Sequence, residues 1–273
     1  MTTSFPQTGS WYLASLFTFA LTLLSALSSS ATAEANERLF TYIYETPVLN
    51  KGDMELEPWM TNLIGRDSFY FRMDSRLEFE VGLGNGVMTA IYLNHRAEAV
   101  DDGAGGLNRS SYFRGFSNEW KFSFSDPVAD PLGFAAYFEW GLQPHEVEIE
   151  AKALIDKAFG PALLGVNIVG EVEIKPQPQA RPEIEGKLIV LAGISFQLHR
   201  HINLGVEIRE MNVFEHGDLE LALLSAGPAL SIQGERLWFT MTLLPQIVDL
   251  AAGGHNTTSA EWIETRMLVG FHL

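Results

Sequence analysis

A closed antiparallel transmembrane β-barrel of about 12 strands is the fold this sequence predicts, with 10 or 14 as the alternative counts. The first observation is a sorted run. From Phe69 to Leu83, the residues Phe69, Phe71, Met73, Leu77, Phe79, Val81 and Leu83 share one parity, while Tyr70, Arg72, Asp74, Arg76, Glu78 and Glu80 hold the other. Side chains alternate across a strand, so one face of this run suits lipid and the other suits water. Roughly 9 to 11 tilted residues already span a bilayer, and the run is longer than that. The second observation is that the same period of two recurs along the chain without an amphipathic helix of comparable strength. The third is an asymmetry of connector lengths, developed below.

The chain opens on an apolar stretch, Trp11 to Leu27, followed by Ser28-Ser29-Ser30 and Ala31-Thr32-Ala33. An apolar core ahead of a small-residue site reads as a secretory signal peptide spanning 1–33, cleaved after Ala33. No Lys or Arg precedes Arg38, so the usual basic start is missing, and the alternative is an uncleaved anchor. The expected barrel domain is 34–273. The 273 residues contain no cysteine, so in an oxidising compartment closure and burial must supply stability without disulfides. Acids outnumber bases 34 to 18, a balance that excludes nucleic acid as a partner.

The strands follow in order. Met54 and Leu56 oppose Glu55 and Glu57, and the long run to Leu83 turns at Gly84-Asn85-Gly86 into Val87–Asn94. Trp120, Phe122 and Phe124 oppose Glu119 and Lys121; Phe134 and Phe138 oppose Tyr137 and Glu139; Val147 and Ile149 oppose Glu146, Glu148 and Glu150. Then come Val166–Lys175, Lys187–Leu198, Ile202–Ile208, Leu219–Ile232, Leu237–Leu244 and Trp262–Leu273. If the chain ends in the periplasm, connectors 97–110, 176–183 and 247–259 fall outside. Gly84-Asn85-Gly86, Phe159-Gly160, Arg200-His201 and Gly234-Glu235 then fall inside, with the longer Asp126–Leu132 as the exception. Long loops outside and short turns inside is the habit of outer-membrane barrels. Arg38–Glu45 also alternates, as a thirteenth strand or a periplasmic lead-in.

At the C-terminus, Met267, Val269, Phe271 and Leu273 share one face, the pattern of a terminal strand read by the barrel assembly machinery. Tyr42-Ile43-Tyr44-Glu45-Thr46, Lys51-Gly52, Glu55-Leu56-Glu57-Pro58-Trp59 and Arg76-Leu77-Glu78-Phe79-Glu80 resemble uncharacterised bacterial outer-membrane barrels similar to those of meta-pathway phenol degradation. Asp126-Pro127-Val128-Ala129-Asp130-Pro131-Leu132-Gly133 and Glu146–Lys157 carry the same likeness. The resemblance implies a Gram-negative outer-membrane, porin-like transport barrel, with hydrophobic or aromatic compounds as candidate solutes. It brings no catalytic residue.

The polar face carries Arg72, Arg76, Glu78, Glu80, Lys121, Glu139, Glu148, Glu150, Lys152, Glu171, Glu173, Lys175, Glu207 and Arg209. Basic residues facing lipid at midplane would cost about 2–4 kcal/mol each, so this set is expected in the lumen. Two readings stand: a salt-bridge network filling a narrow barrel, or an acid-biased aqueous channel that prefers cations. Tyr42, Tyr44, Trp59, Tyr112, Trp120, Trp140, Trp238 and Trp262 are expected near the bilayer interfaces. The expected function is therefore a passive channel for small solutes, embedded in outer-membrane lipid; the alternatives are a closed structural barrel or a membrane hydrolase. For the last, Asn94-His95 with Ser110 or Ser111 is the best constellation, but no Gly-x-Ser-x-Gly or His-Glu-x-x-His motif supports it, so no enzyme is expected. Seven scattered histidines give no metal site, and nothing requires a cofactor.

Overall fold

Alternating residues build a sheet that closes on itself. The computed structural model describes residues 38–178 and 180–273, and the expected signal peptide lies outside them. The strands are β1 (Met54–Ile64), β2 (Tyr70–Gly84), β3 (Val87–Asp101), β4 (Leu107–Ser125), β5 (Gly133–Leu142), β6 (Val147–Phe159), β7 (Ala162–Lys175), β8 (Glu183–His199), β9 (Ile202–Glu215), β10 (Asp218–Gln233), β11 (Leu237–Asp249) and β12 (Ile263–His272). Each pairs antiparallel with its neighbours in sequence, and β12 pairs with β1 to close a barrel. The count of twelve is even, and among the described residues there is no helix.

The two faces separate as the alternation requires. On β2 Leu77 and Phe79 are exposed outward, while Glu78 is fully buried and Glu80 nearly so. Ile91, Leu93, Phe138 and Ile168 continue the apolar outer band. A transmembrane barrel must satisfy every backbone group between strands, and closure provides this. The ladder is interrupted where proline removes a donor. Between β1 and β12 it passes from Leu56↔Phe271 to Trp59↔Leu268 across Pro58; between β10 and β11 it passes from Ser225↔Gln246 to Ala229↔Thr242 across Pro228 and Pro245.

Several boundaries differ from expectation. Connector 97–110 shrinks to 102–106 because β3 and β4 continue pairing, the latter for 19 residues. Apolar alternation stops where lipid stops, whereas backbone pairing needs no lipid, so the pattern underestimates the strands. Connector 247–259 becomes 250–262, on the end termed here the loop end. The opposite, turn end holds 85–86, where Asn85 and Gly86 have φ of 55° and 75°, as a two-residue primed turn demands. The loop end also contains a two-residue turn, His216-Gly217, with φ of 53° and 93°, so the asymmetry of connector lengths is partial.

Candidate functional site

Arg38–Glu45 is neither a thirteenth strand nor a periplasmic lead-in but part of a segment, residues 38–50, inside the barrel. They cross the inside of the barrel, and Phe40, Thr41, Tyr42, Ile43, Tyr44 and Thr46 are all buried, whichever parity they hold. Polar side chains projecting from the wall take their backbone groups. Glu207 accepts the N–H of Thr41 (2.9 Å), Tyr42 (2.8 Å) and Ile43 (3.1 Å), and the Thr242 hydroxyl as well. Asn167 accepts from the N–H of Tyr44 at 2.7 Å and donates to its carbonyl at 3.0 Å. Asp156 takes the N–H and the hydroxyl of Thr46, each at 2.7 Å. Buried backbone needs such partners, and the wall of the lumen supplies them. Space is made by glycines: a Cβ on Gly193 would lie 2.6 Å from Ile43 Cδ1, and one on Gly165 2.8 Å from Ile43 Cγ2. The segment is a fitted plug.

Between the plug and the loop end lies a vestibule of about 690 Å³. Tyr42, Tyr44 and Trp59 form its floor, with cationic groups over their faces: Arg38 and Lys152 sit 4.0 and 3.9 Å from the Tyr44 ring, and Arg266 4.0 Å from the Tyr42 ring. Of the charged residues singled out above, Arg72, Arg76, Glu139, Glu148, Glu150, Lys152, Glu171 and Arg209 line this space. They are largely paired. Arg76 meets Glu139, Lys152 meets Glu150 at 2.9 Å, and Arg209 meets Glu264 at 2.7 Å. Lys187 bridges Glu171 and Glu173, both at 2.6 Å, and Lys175 reaches Glu183 at 3.2 Å. Glu78, Glu80 and Lys121 lie buried toward the turn end, beside a second cavity of about 160 Å³ lined by Glu80 and Lys121, and Glu207 holds the plug.

The family whose model matches is a family of unknown function, DUF6662, over residues 32–159 and 166–269. The chain belongs to this family. No curated protein matches it. The fold of this DUF6662 member is similar to the COG4313 outer-membrane channel from Pseudomonas putida F1, with a TM-score of 0.61, 8% identity, and coverage of 89% of this chain and 100% of that one. It is also similar to the translocator domain of the autotransporter NalP from Neisseria meningitidis (TM-score 0.55, 10% identity, 96% of each chain). The β-domain of the Bordetella autotransporter BrkA gives a TM-score of 0.52 at 7% identity, over 82% of this chain and 100% of that one. At such identities the likeness establishes a transmembrane barrel of outer-membrane type, and the link to phenol degradation has no support beyond it.

In this DUF6662 barrel His95 Nε2 lies 3.1 Å from Ser111 Oγ, so the structure brings together one of the two serine alternatives and not Ser110. Asn94 does not orient the imidazole. Its side chain donates to Ser117 at 2.8 Å and accepts from Arg76 at 3.1 Å. Among the described residues no hydrogen bond from a third side chain orients the imidazole.

Half of the expected interfacial aromatics are inside instead. Tyr42, Tyr44, Trp59 and Trp238 are buried, whereas Tyr112, Trp120 and Trp262 are exposed and Trp140 is half-buried. Trp59 shares parity with Glu55 and Glu57, a signal that would have placed it in the lumen. Asp156, Asn167, Glu264 and Arg266 were missed for a related reason: each has the inward parity of its strand but lies outside the charged clusters that drew notice. At the C-terminus Phe271 pairs with Leu56 and Leu237, and Leu273 lies just beyond β12 with its N–H donating to the Met54 carbonyl at 3.0 Å.

Proposed function

We propose that this protein is a solute channel of the bacterial outer membrane that rests closed, with residues 38–50 as its plug and the vestibule facing outward. The observation that carries this reading is the plug itself. It is held by side chains of the wall and not built into the sheet, so it can leave while the barrel stays intact. The loop end faces out in this reading because the longest connector, 250–262, lies there. A ring-bearing small solute with hydrogen-bonding groups suits a floor of Tyr42, Tyr44 and Trp59 under charged walls. Export by a signal cleaved after Ala33, and insertion through the strand bearing Met267, Val269 and Phe271, complete the proposal.

The test is single-channel recording from the refolded chain in a planar bilayer, compared with a chain carrying Thr46→Cys and Asp156→Cys. These would be the sole thiols, joined by a short bifunctional reagent. Rare openings in the untethered chain, abolished by the tether and restored by reduction of a cleavable reagent, are expected. Conductance unaffected by the tether would refute the plug. Lasting silence in both, and in variants that loosen the plug, would favour a closed structural barrel, the reading that the paired lumen charges suggest.

A further inference from the structure

We propose that Glu55, Glu57, Glu78, Glu80 and Glu119 form a binding site for a calcium-class divalent cation in the lumen, on the turn-end side of the plug. The carboxylates come from β1, β2 and β4, and none is more than 6% exposed. Glu55, Glu57 and Glu80 bring one oxygen each within 4.8 Å of one another, and so do Glu78, Glu80 and Glu119. Glu80 belongs to both groups. Through it the two groups adjoin as one bowl of carboxyl groups.

The surroundings orient these carboxylates in the way that outer-shell donors orient metal ligands. The Trp238 indole N–H donates to Glu55 Oε1, the Trp59 indole to Glu57 Oε2 at 3.1 Å, and the Tyr92 hydroxyl to Glu119 Oε2. The other oxygens of Glu57 and Glu119 have no hydrogen-bond partner, and that of Glu55 lies 3.5 Å from His272 Nδ1. One oxygen of each is held by a neighbouring donor.

An independent observation comes from Glu78. It is fully buried, grouped with Glu80 and Glu119, and no nitrogen or hydroxyl donor reaches either of its oxygens, its one hydrogen-bonding neighbour being the Glu80 carboxyl. Two buried carboxyl groups in contact need either a shared proton or a cation between them. Arg38 and Lys121 flank the bowl but give two positive charges to five carboxylates. Arg38 is also committed elsewhere, donating to the Thr41 carbonyl at 3.2 Å and stacking on Tyr44 and Trp59. The cavity of about 160 Å³ touches Glu57, Glu80 and Glu119, leaving room for an ion to arrive with water.

The donor set selects the ion. Carboxylate oxygens alone suit a hard cation, and calcium takes six to eight of them at about 2.3–2.6 Å, so opposed ligands stand roughly 4.6–5.2 Å apart. Magnesium dehydrates reluctantly and keeps several waters, so a buried cage of protein oxygens suits it less.

Terbium(III) is the probe, because Trp59 and Trp238 touch the ligating carboxylates and can transfer excitation to it. The full chain, refolded in detergent and freed of metal by chelation, is titrated with terbium and separately with calcium by calorimetry. One sensitised terbium per chain, displaced by calcium but not by an equal concentration of magnesium, is expected. Glu78→Gln with Glu80→Gln should weaken calcium at least tenfold, in protein that keeps the heat-modifiable gel mobility of a folded barrel. Trp59→Phe and Trp238→Phe leave the carboxylates in place, and each should lower the emission while calcium binding persists. A folded wild type with neither sensitised emission nor calcium heat overturns the proposal, since protons shared among the glutamates then suffice. Calcium binding with emission unchanged in both tryptophan variants overturns it too, by placing the ion on the acidic surface.

Discussion

Replacing Glu207 by Ala removes the acceptor of three consecutive backbone N–H groups, at 2.9, 2.8 and 3.1 Å, from the centre of the plug. Hydrogen bonds to a charged partner contribute about 1.5–3 kcal/mol each, so the lower end for three gives roughly 4.5 kcal/mol. Water entering the vacated space returns part of this, and relief of a buried carboxylate returns more, which leaves about 3 kcal/mol in favour of the displaced plug. At 1.4 kcal/mol per factor of ten, the ratio of displaced to docked plug rises by about 10²-fold. The assay is amide exchange at Thr41, Tyr42 and Ile43, with Val190 of β8 as an internal reference for the intact barrel, alongside open probability in a planar bilayer. Glu207→Gln should fall between, because its amide keeps one acceptor and turns a donor toward donors. If Glu207→Ala changes exchange at those three amides by less than about tenfold while the barrel remains folded, the carboxylate does not hold the plug and the reasoning fails.

Gly193→Val should mimic this effect by another route, since its first carbon would already meet Ile43 Cδ1 at 2.6 Å and the Val206 carbonyl at 2.7 Å; raised open probability in the folded protein is the readout. Glu171→Gln with Glu173→Gln removes the two partners of Lys187 at 2.6 Å and leaves Glu185 at 3.4 Å, and the reversal potential in a salt gradient should move toward anions; no movement would take Lys187 out of the ion path. His95→Ala should leave ester turnover at the level of the wild type, both indistinguishable from protein-free micelles, and turnover lost with His95 would instead make this barrel an enzyme. Asp67 ties the two loops 65–69 and 250–262, accepting from the hydroxyls of Thr257 and Thr258, and these bonds hold its carboxyl below the usual range. With a folded value lower than the unfolded one, the tie is fully present above about pH 4 and is lost as pH falls below that. Proteolysis of loop 250–262 should be flat from pH 8 to 5 and rise in Asp67→Ala at every pH.

The barrel was legible because a strand in lipid has to declare itself. Outward Leu77 and Phe79 alternate with inward Glu78 and Glu80, and no other backbone conformation reconciles that period with a bilayer. The same parity sets the expectation that the charged set faces inward. It could not say where β3 and β4 end, because above the membrane both faces meet water and the alternation has no reason to continue. Nor could it choose among partners. Arg76 pairs with Glu139 across from β2 to β5, and Arg209 with Glu264 from β9 to β12, encounters that exist only after the sheet has closed at a particular diameter.

Residues 38–50 mark the boundary most clearly. By itself the part Arg38–Glu45 reads as one more alternating strand or a periplasmic lead-in, yet in the structure Phe40, Tyr42 and Tyr44 are buried along with Thr41 and Ile43, because the segment is surrounded on every side. Alternation reports two media on two faces and is silent where there is one. What the sequence by itself determined is which face of each strand meets lipid; what only the tertiary structure decided is what fills the space that those strands enclose. The first is a local consequence of side-chain direction. The second depends on Glu207, Asn167, Asp156 and the bare backbone of Gly193 converging from four different strands on a segment far from them in the chain.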